Sequence, residues 1–204
     1  EGHVVHVRPE LVVEIAFRHG VRKIVKSKSM VSEESALDLA IERAGLAVVE
    51  TDLGEYILQI NGYEPPSHIV GPALHKSKEE VTELFHRRHG TPRKEGIEEL
   101  CREARAVLRE HYLTADMGIS GGNFFVAETG SVVLVTNEGN ASLATTLPKV
   151  HVAISGIEKI VPTLEDVATL MRLLPRSATG QSISNYVDVL TGARGEGEFH
   201  GVDH

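Results

Sequence analysis

Between Val21 and Val49 the chain passes from one short strand pattern, through a helical pattern, into another short strand pattern. VRKIV (Val21–Val25) reads as a strand. Ser32 can cap a helix in which Ala36, Leu37, Ala40, Ile41 and Ala44 share one face, and Gly45 ends it. Leu46–Val49 reads as the second strand. A strand, a helix and a strand joined so tightly form a crossover, and a crossover places its two strands parallel. That restricts the chain to α/β architectures. It also gives the segment KSKSM a location, because Lys26, Ser27, Lys28 and Ser29 leave the first strand where the helix is about to begin. Open α/β sheets bind ligands at the carboxyl ends of their strands. Two lysines, two hydroxyls and a helix start there suit an anion; the alternative is a solvated turn with two exposed lysines.

The remaining elements extend this pattern. Pro9 to His19 predicts a helix with Val12, Ile15, Ala16 and His19 on one face and Gly20 after its end. After the second strand comes ETDLGEYI, where Asp52 either caps a short helix or meets a ribose hydroxyl or metal. SHIVG (67–71) predicts another short strand. Ser77 and Glu80 form a capping box before Val81, Leu84 and Phe85. His86 and His89 follow among arginines, without a carboxylate or cysteine nearby in sequence, so no zinc site is expected. Residues 95–112 predict a long helix, with Cys101 inside its buried stripe as a small core residue. The apolar run SVVLV (Ser131–Val135) predicts a strand buried on both faces and central to the sheet. Val150–Ile154, a helix capped by Thr163 and Asp166, a loop PRSATGQ and a last strand YVDVL (Tyr186–Leu190) complete the pattern. The expected fold class is α/β, a mostly parallel sheet with flanking helices. It forms a single domain over residues 1–195, with 196–204 as a tail or linker.

Composition removes several functions. A net charge of −8 opposes a general nucleic-acid binder. No apolar run approaches the roughly 18 residues that span a bilayer, and EGHVVHVRPE has no signal-peptide pattern. The first residue is not Met, which suggests an excised or processed form. Cys101 is the only cysteine. An internal disulfide is therefore excluded, a cysteine metal cluster likewise, and a reducing compartment is the default.

The stretch Gly118–His151 holds the remaining candidates, small polar residues on both sides of SVVLV. Ser120, Gly121, Gly122 and Asn123 form neither a dinucleotide fingerprint nor a phosphate loop, and a tight turn explains them as well as a ligand does. Glu128 with Thr129 precedes the strand. Asn137, Glu138, Gly139 and Asn140 follow it. A carboxylate at a strand end is placed to take a proton or attack an acyl group; it also closes turns. His151, inside an apolar strand, reads as hydrogen-bonded core more readily than as a catalyst. PRSATGQ adds Arg176, Ser177, Thr179 and Gly180 as a further polar loop.

Six segments taken in order carry a resemblance: VRKIVKSKSMVSEE, ETDLGEYI, PSHIVGPALHK, ADMGISGGNFFVAETGSVVLVTNEGN, TTLPKVHVAISGIEKIVPTLEDV and RLLPRSATGQ. Over residues 10–195 the chain resembles the lactate-utilisation iron–sulfur protein B family. The resemblance implies a LUD domain, similar in fold to the ribose-5-phosphate isomerase, glucosamine-phosphate isomerase and coenzyme A transferase group. It implies a cytoplasmic component of a bacterial L-lactate oxidation complex, an oxidoreductase with electron transport. The expected partners are a cysteine-rich-domain subunit and a second LUD protein, and a homo-oligomer is possible. The expected ligand is a small anion such as lactate or pyruvate.

Family members continue into a ferredoxin-like region holding two 4Fe–4S clusters. Cys101 alone cannot hold one, so this chain is expected to carry no cofactor or metal and to be inactive by itself. Among the matching segments, Glu138 is the expected functional carboxylate, with Asn137, Asn140 and Gly121–Asn123 shaping an anion pocket. The alternatives are a docking domain without chemistry and a small-molecule transferase or isomerase.

Overall fold

Ile24 and Val25 are adjacent, both fully buried, and face opposite cores, so the strand that carries them is covered by helices on both sides. In the computed structural model, which describes residues 8–68, 71–136, 138–184, 186–198 and 201–204, that strand is β1 (Lys23–Lys26). It pairs in parallel with β2 (Ala47–Glu50) on one side and with β3 (Met117–Ser120) on the other. β3 pairs in parallel with β6 (Val150–Ala153), giving an all-parallel sheet in the order β2-β1-β3-β6. Helices α1 (Pro9–Arg18) and α3 (Leu37–Arg43) cover one face through Val12, Ala16, Leu37 and Ile41. On the other face lie α4 (Leu53–Ile60), α5 (Lys78–His89) and α6 (Ile97–Thr114), through Tyr56, Phe85, Leu100, Ala104 and Leu108. The α/β class is therefore the one expected. Among the described residues, no helix is long and apolar enough to cross a membrane.

SVVLV is a strand, β5 (Ser131–Val135), but it is not central to the parallel sheet. It lies inside a second, mixed sheet ordered β7-β4-β5-β8, made with β4 (Phe124–Val126), β7 (Ile160–Val161) and β8 (Val187–Leu190). Helix α8 (Leu164–Thr179) covers this sheet through Val167, Leu170 and Met171. An apolar pentamer reports burial on two faces; it does not report which sheet provides it.

Other local expectations change for local reasons. The helix after KSKSM is broken into α2 (Met30–Glu34) and α3, because Ala36 adopts a left-handed φ of 52°. Ser29, not Ser32, is the N-cap of α2, and Ser32 is buried inside it. PRSATG is not a loop: Pro175 to Thr179 form the last turn and a half of α8. Cys101 is exposed on α6, outside the stripe of Leu100, Ala104, Leu108 and Tyr112. Ser67 and His68 are not in a strand, and Ile69 and Val70 lie outside the described residues. His89 does meet a carboxylate, brought from α6: its Nδ1 is 2.8 Å from Glu103 Oε1, and its Nε2 is 2.9 Å from the Tyr56 hydroxyl. The C-terminal residues return to the sheet, with the His151 amide donating to the His204 carbonyl at 2.9 Å and Asp203 accepting from Arg194 at 2.6 Å.

Helix α7 (Asn140–Thr146) is pressed against β3. A Cβ on Gly118 would lie 1.7 Å from the Ala144 carbonyl oxygen, so no larger residue fits that crossing. Gly139, at φ 75°, turns the chain from β5 into α7. Together these two glycines bring the end of the mixed sheet to the carboxyl edge of the parallel one.

Candidate functional site

All four parallel strands end at one cleft of about 630 Å³. β1 contributes Ser27, Lys28 and Ser29; β2 contributes Asp52; β3 contributes Gly121, Gly122 and Asn123; β6 contributes Ile154 and Ser155. The opposite wall comes from the end of β5 and the start of α7, with Leu134, Thr136, Glu138 and Asn140. The reason is topological: parallel strands all point their carboxyl ends one way, so their exits share an edge.

Each exit is held by its own bonds. The Ser27 amide donates to the Ile119 carbonyl at 2.9 Å, continuing the β1–β3 ladder past its last pair. Ser29 caps α2 by accepting from the Ser32 amide. Asp52 caps α4, accepting from the Gly54 amide at 3.1 Å. Asn123 Oδ1 accepts from the Val135 amide at 2.8 Å and joins the β3 exit to the end of β5. The Tyr112 hydroxyl donates to the Asn140 carbonyl at 3.3 Å and fixes the start of α7 from α6.

Two cations and two carboxylates line the cleft: Lys28, Lys159, Asp52 and Glu138. Lys28 Nζ lies 2.7 Å from Glu55 Oε1. Burial, helped by the neighbouring Asp52 carboxylate and opposed by Lys28, pushes Glu55 up to about 7. Glu138 is also pushed upward, by burial first and by Asp52 second, against the pull of Lys28. A carboxylate so shifted is a better proton acceptor at neutral pH than an ordinary one.

Below the cleft the polar groups are sealed. Lys26 is 1% exposed; its Nζ is 2.6 Å from Glu50 Oε1, 3.1 Å from Ser32 Oγ and 3.5 Å from Asp38 Oδ1. Burial opposes its charge, but Glu50 and Asp38 together hold its pKa above the ordinary lysine value. Lys26 is thus beneath the cleft and does not line it. Ser120 is fully buried; its hydroxyl is 2.8 Å from His151 Nε2 and 2.9 Å from the Gly121 carbonyl. Burial pushes His151 down to about 4, so the ring is neutral at pH 7.

The other expected residues lie elsewhere. Glu128 and Thr129 form the exposed turn between β4 and β5, where the Thr129 hydroxyl is 2.6 Å from the Ser131 hydroxyl. Arg176, Ser177, Thr179 and Gly180 are exposed at the end of α8 and do not line the cleft. Gly139 shapes the turn without lining the cleft, and Asn137 lies outside the described residues. Sequence reasoning missed Lys159, which a 3-10 turn (Ile157–Lys159) carries to the cleft from just beyond β6. Nothing in its local pattern announces this. Ser155 was findable, because it directly follows a strand already expected at Val150–Ile154.

These features define an α/β domain with a cleft at the carboxyl edge of a parallel sheet. The chain belongs to the LUD domain family, whose model matches residues 7–202. It is similar to the lactate utilization protein B of Geobacillus kaustophilus strain HTA426, 54% identical over 194 residues, covering 95% of this chain and 41% of that protein. The Anoxybacillus flavithermus strain WK1 protein of the same name is 56% identical over 182 residues, covering 89% and 39% respectively. That of Bacillus pumilus strain SAFR-032 is 49% identical over 207 residues, covering 99% and 44%. The chain therefore spans about two fifths of the length of these relatives. No solved structure matches it.

Proposed function

We propose that this chain is the ligand-binding domain of a lactate-utilisation protein, and that its cleft takes a small 2-hydroxy or 2-oxo acid such as lactate or pyruvate. The observation that carries this reading is that Lys28 and Glu138 both line one cleft, together with Ser27, Ser29 and the Gly121–Asn123 turn. Lys28 is the counter-ion for the ligand carboxylate. Hydroxyls and amides at the rim orient it. Glu138 accepts the proton of the lactate hydroxyl, which lowers the barrier to oxidation of the carbon that bears it. The names of the relatives support the lactate-utilisation role.

Oxidation of lactate to pyruvate releases two electrons as well as two protons. A 4Fe–4S cluster does not fit this chain, since four thiolates are needed and Cys101 is alone. In this reading two such clusters sit in a ferredoxin-like region of the longer family proteins. The oxidoreductase then assembles in the bacterial cytoplasm with a cysteine-rich-domain subunit and a second LUD protein, and the domain alone binds without turning over.

Calorimetric titration of the chain with lactate, pyruvate, ribose 5-phosphate and acetyl-coenzyme A tests this. Lactate or pyruvate should bind, and Lys28→Ala should weaken that binding about tenfold. Failure of both acids to bind, or turnover of the phosphosugar or thioester by the chain alone, rejects it.

A further inference from the structure

Glu55 sits in the first turn of α4, just outside the lining of the cleft, and is 8% exposed. Its Oε1 meets Lys28 Nζ at 2.7 Å. Its Oε2 is buried and has no hydrogen-bond partner among the described residues. The carboxyl beside it is Asp52, which lines the cleft and is within hydrogen-bonding reach. Ionised carboxylates only accept, so two of them cannot bond to each other. One proton held between the two supplies the missing donor, as in other buried carboxyl pairs. Burial, with Asp52 second, makes Glu55 ready to hold it at neutral pH.

The charge around this pair is unbalanced. Lys28 and Asp52 act on both Glu55 and Glu138, so one ammonium serves three carboxyls, and Lys159 adds a second cation at the cleft. The groups on the other sides of Glu55 do not redress this. Glu50 is held by Lys26, Glu64 is held by Lys76 and His75, and Glu33 is exposed on α2. His68 shares a small cavity with Glu55 and Lys28. Burial pushes Tyr112, on α6, up to about 12, so it stays neutral. Two cations thus face three carboxyls at or beside the cleft. A ligand carboxylate on Lys28 makes it four, and added negative charge favours a proton on the nearest carboxyl pair.

Resting on the reading of Lys28 as counter-ion of the ligand acid, we propose that an organic acid enters the cleft together with one proton from solvent, which settles between Glu55 and Asp52. Glu55 is a positioning residue: it holds Lys28 beside the cleft, and its protonation leaves the ammonium charge to the ligand. Affinity is then greatest below pH 7, where the proton is already in place. It falls as pH rises through about 7, by up to about tenfold per pH unit, because the pair must be refilled for the acid to bind.

Calorimetric titration of the chain with lactate and with pyruvate, in pairs of buffers that differ in ionisation enthalpy, reads the protons taken up per ligand. Uptake should be at least about 0.4 proton at pH 8 and under about 0.1 at pH 6. In Glu55→Gln the amide keeps an oxygen for Lys28 and gives Asp52 an N–H, as the protonated pair does. This variant should bind about five- to tenfold more tightly than wild type at pH 8, match it within about twofold at pH 6, and show less than half the wild-type uptake. A role confined to holding the fold together predicts weaker binding at both pH values and unchanged uptake. Carbon-13 NMR of the unliganded chain should show the Glu55–Asp52 pair giving up its shared proton near pH 7; this and the wild-type titrations stand if the variant does not fold. Binding without uptake at pH 8, uptake that survives in Glu55→Gln, or both carboxyls titrating below about 5 overturns the proton site and leaves the acid-binding reading intact. No binding of either acid from pH 6 to pH 8 overturns both.

Discussion

Lys26 and Lys28 leave the same strand on either side of one serine, and the fold uses them in opposite ways. Lys26 ends β1 and turns inward, where Glu50, Asp38 and Ser32 surround its ammonium and its side chain is 1% exposed. Lys28 turns toward the cleft, keeps its side chain 25% exposed and has one carboxylate partner, Glu55. The lower layer is a set of buried polar groups that hold one another, Lys26 with Glu50 and Ser120 with His151. The upper layer is a set of partly solvated groups that line the cleft, Lys28 and Glu138. The lesson is that the ratio of carboxylates to ammonium, and the depth at which they meet, separates a lysine sealed in the structure from one left at the cleft.

The largest effect expected from this contrast is at Lys26. Lys26→Met leaves Glu50 and Asp38 buried without their cation and should cost about 3–5 kcal/mol of unfolding free energy, measured by urea denaturation. An equal loss in Lys28→Met would erase the distinction between the layers.

Next in size is a pH effect at His151. Its folded pKa of about 4 lies below the ordinary histidine value of 6.5, so the unfolded chain binds the proton more readily. Between those values stability should rise with pH, and fall as acid is added, by at most about 3 kcal/mol for this group. Denaturation curves from pH 4 to pH 7 check it, and His151→Asn should flatten that part of the profile. A profile unchanged by the substitution removes His151 from the buried layer.

Lys28→Ala should change stability by less than about 1 kcal/mol, because its ion pair is partly solvated. Its effect belongs in binding, as the titration with lactate and pyruvate would read. The smallest effect on stability is expected at Glu138, which is exposed and makes no hydrogen bond among the described residues. Glu138→Gln should shift unfolding by under about 0.5 kcal/mol. It should leave lactate affinity within about twofold at low pH, where the carboxylate is already protonated, and remove that carboxylate's contribution to the pH dependence of the affinity above it. Retention of the wild-type pH dependence would end the case for Glu138 as proton acceptor.

Much of the parallel sheet was legible because β1, β2 and β6 fall in short segments rich in Val, Ile and Ala that lie beside helix signals or glycine. β3 was not, although it lies in the middle of the sheet. Met117-Gly118-Ile119-Ser120 has only two apolar side chains, and Gly118 is there because α7 crosses it too closely for a Cβ. SVVLV was legible as a buried strand but not as part of a second sheet, since its partners β4 and β8 are short and β8 is largely exposed. PRSATG was misread because Pro175 looks like a helix breaker, whereas it is buried within the end of α8 and tolerated there.

The site divides the same way. Chain order alone put KSKSM and ETD after strands, and parallel strands must end at one edge, so the meeting of these two was determined before any packing was known, whereas SGGN joined them only once β3 was seen. What the sequence could not decide was which lysine faces the cleft, that Glu55 answers Lys28, or that Lys159 reaches the cleft. Those depend on contacts between residues far apart in the chain, such as Lys28 with Glu55 and Lys26 with Glu50. Periodicity records which face of an element is apolar. Only tertiary packing sets how deep a charge is buried and which opposite charge is buried with it.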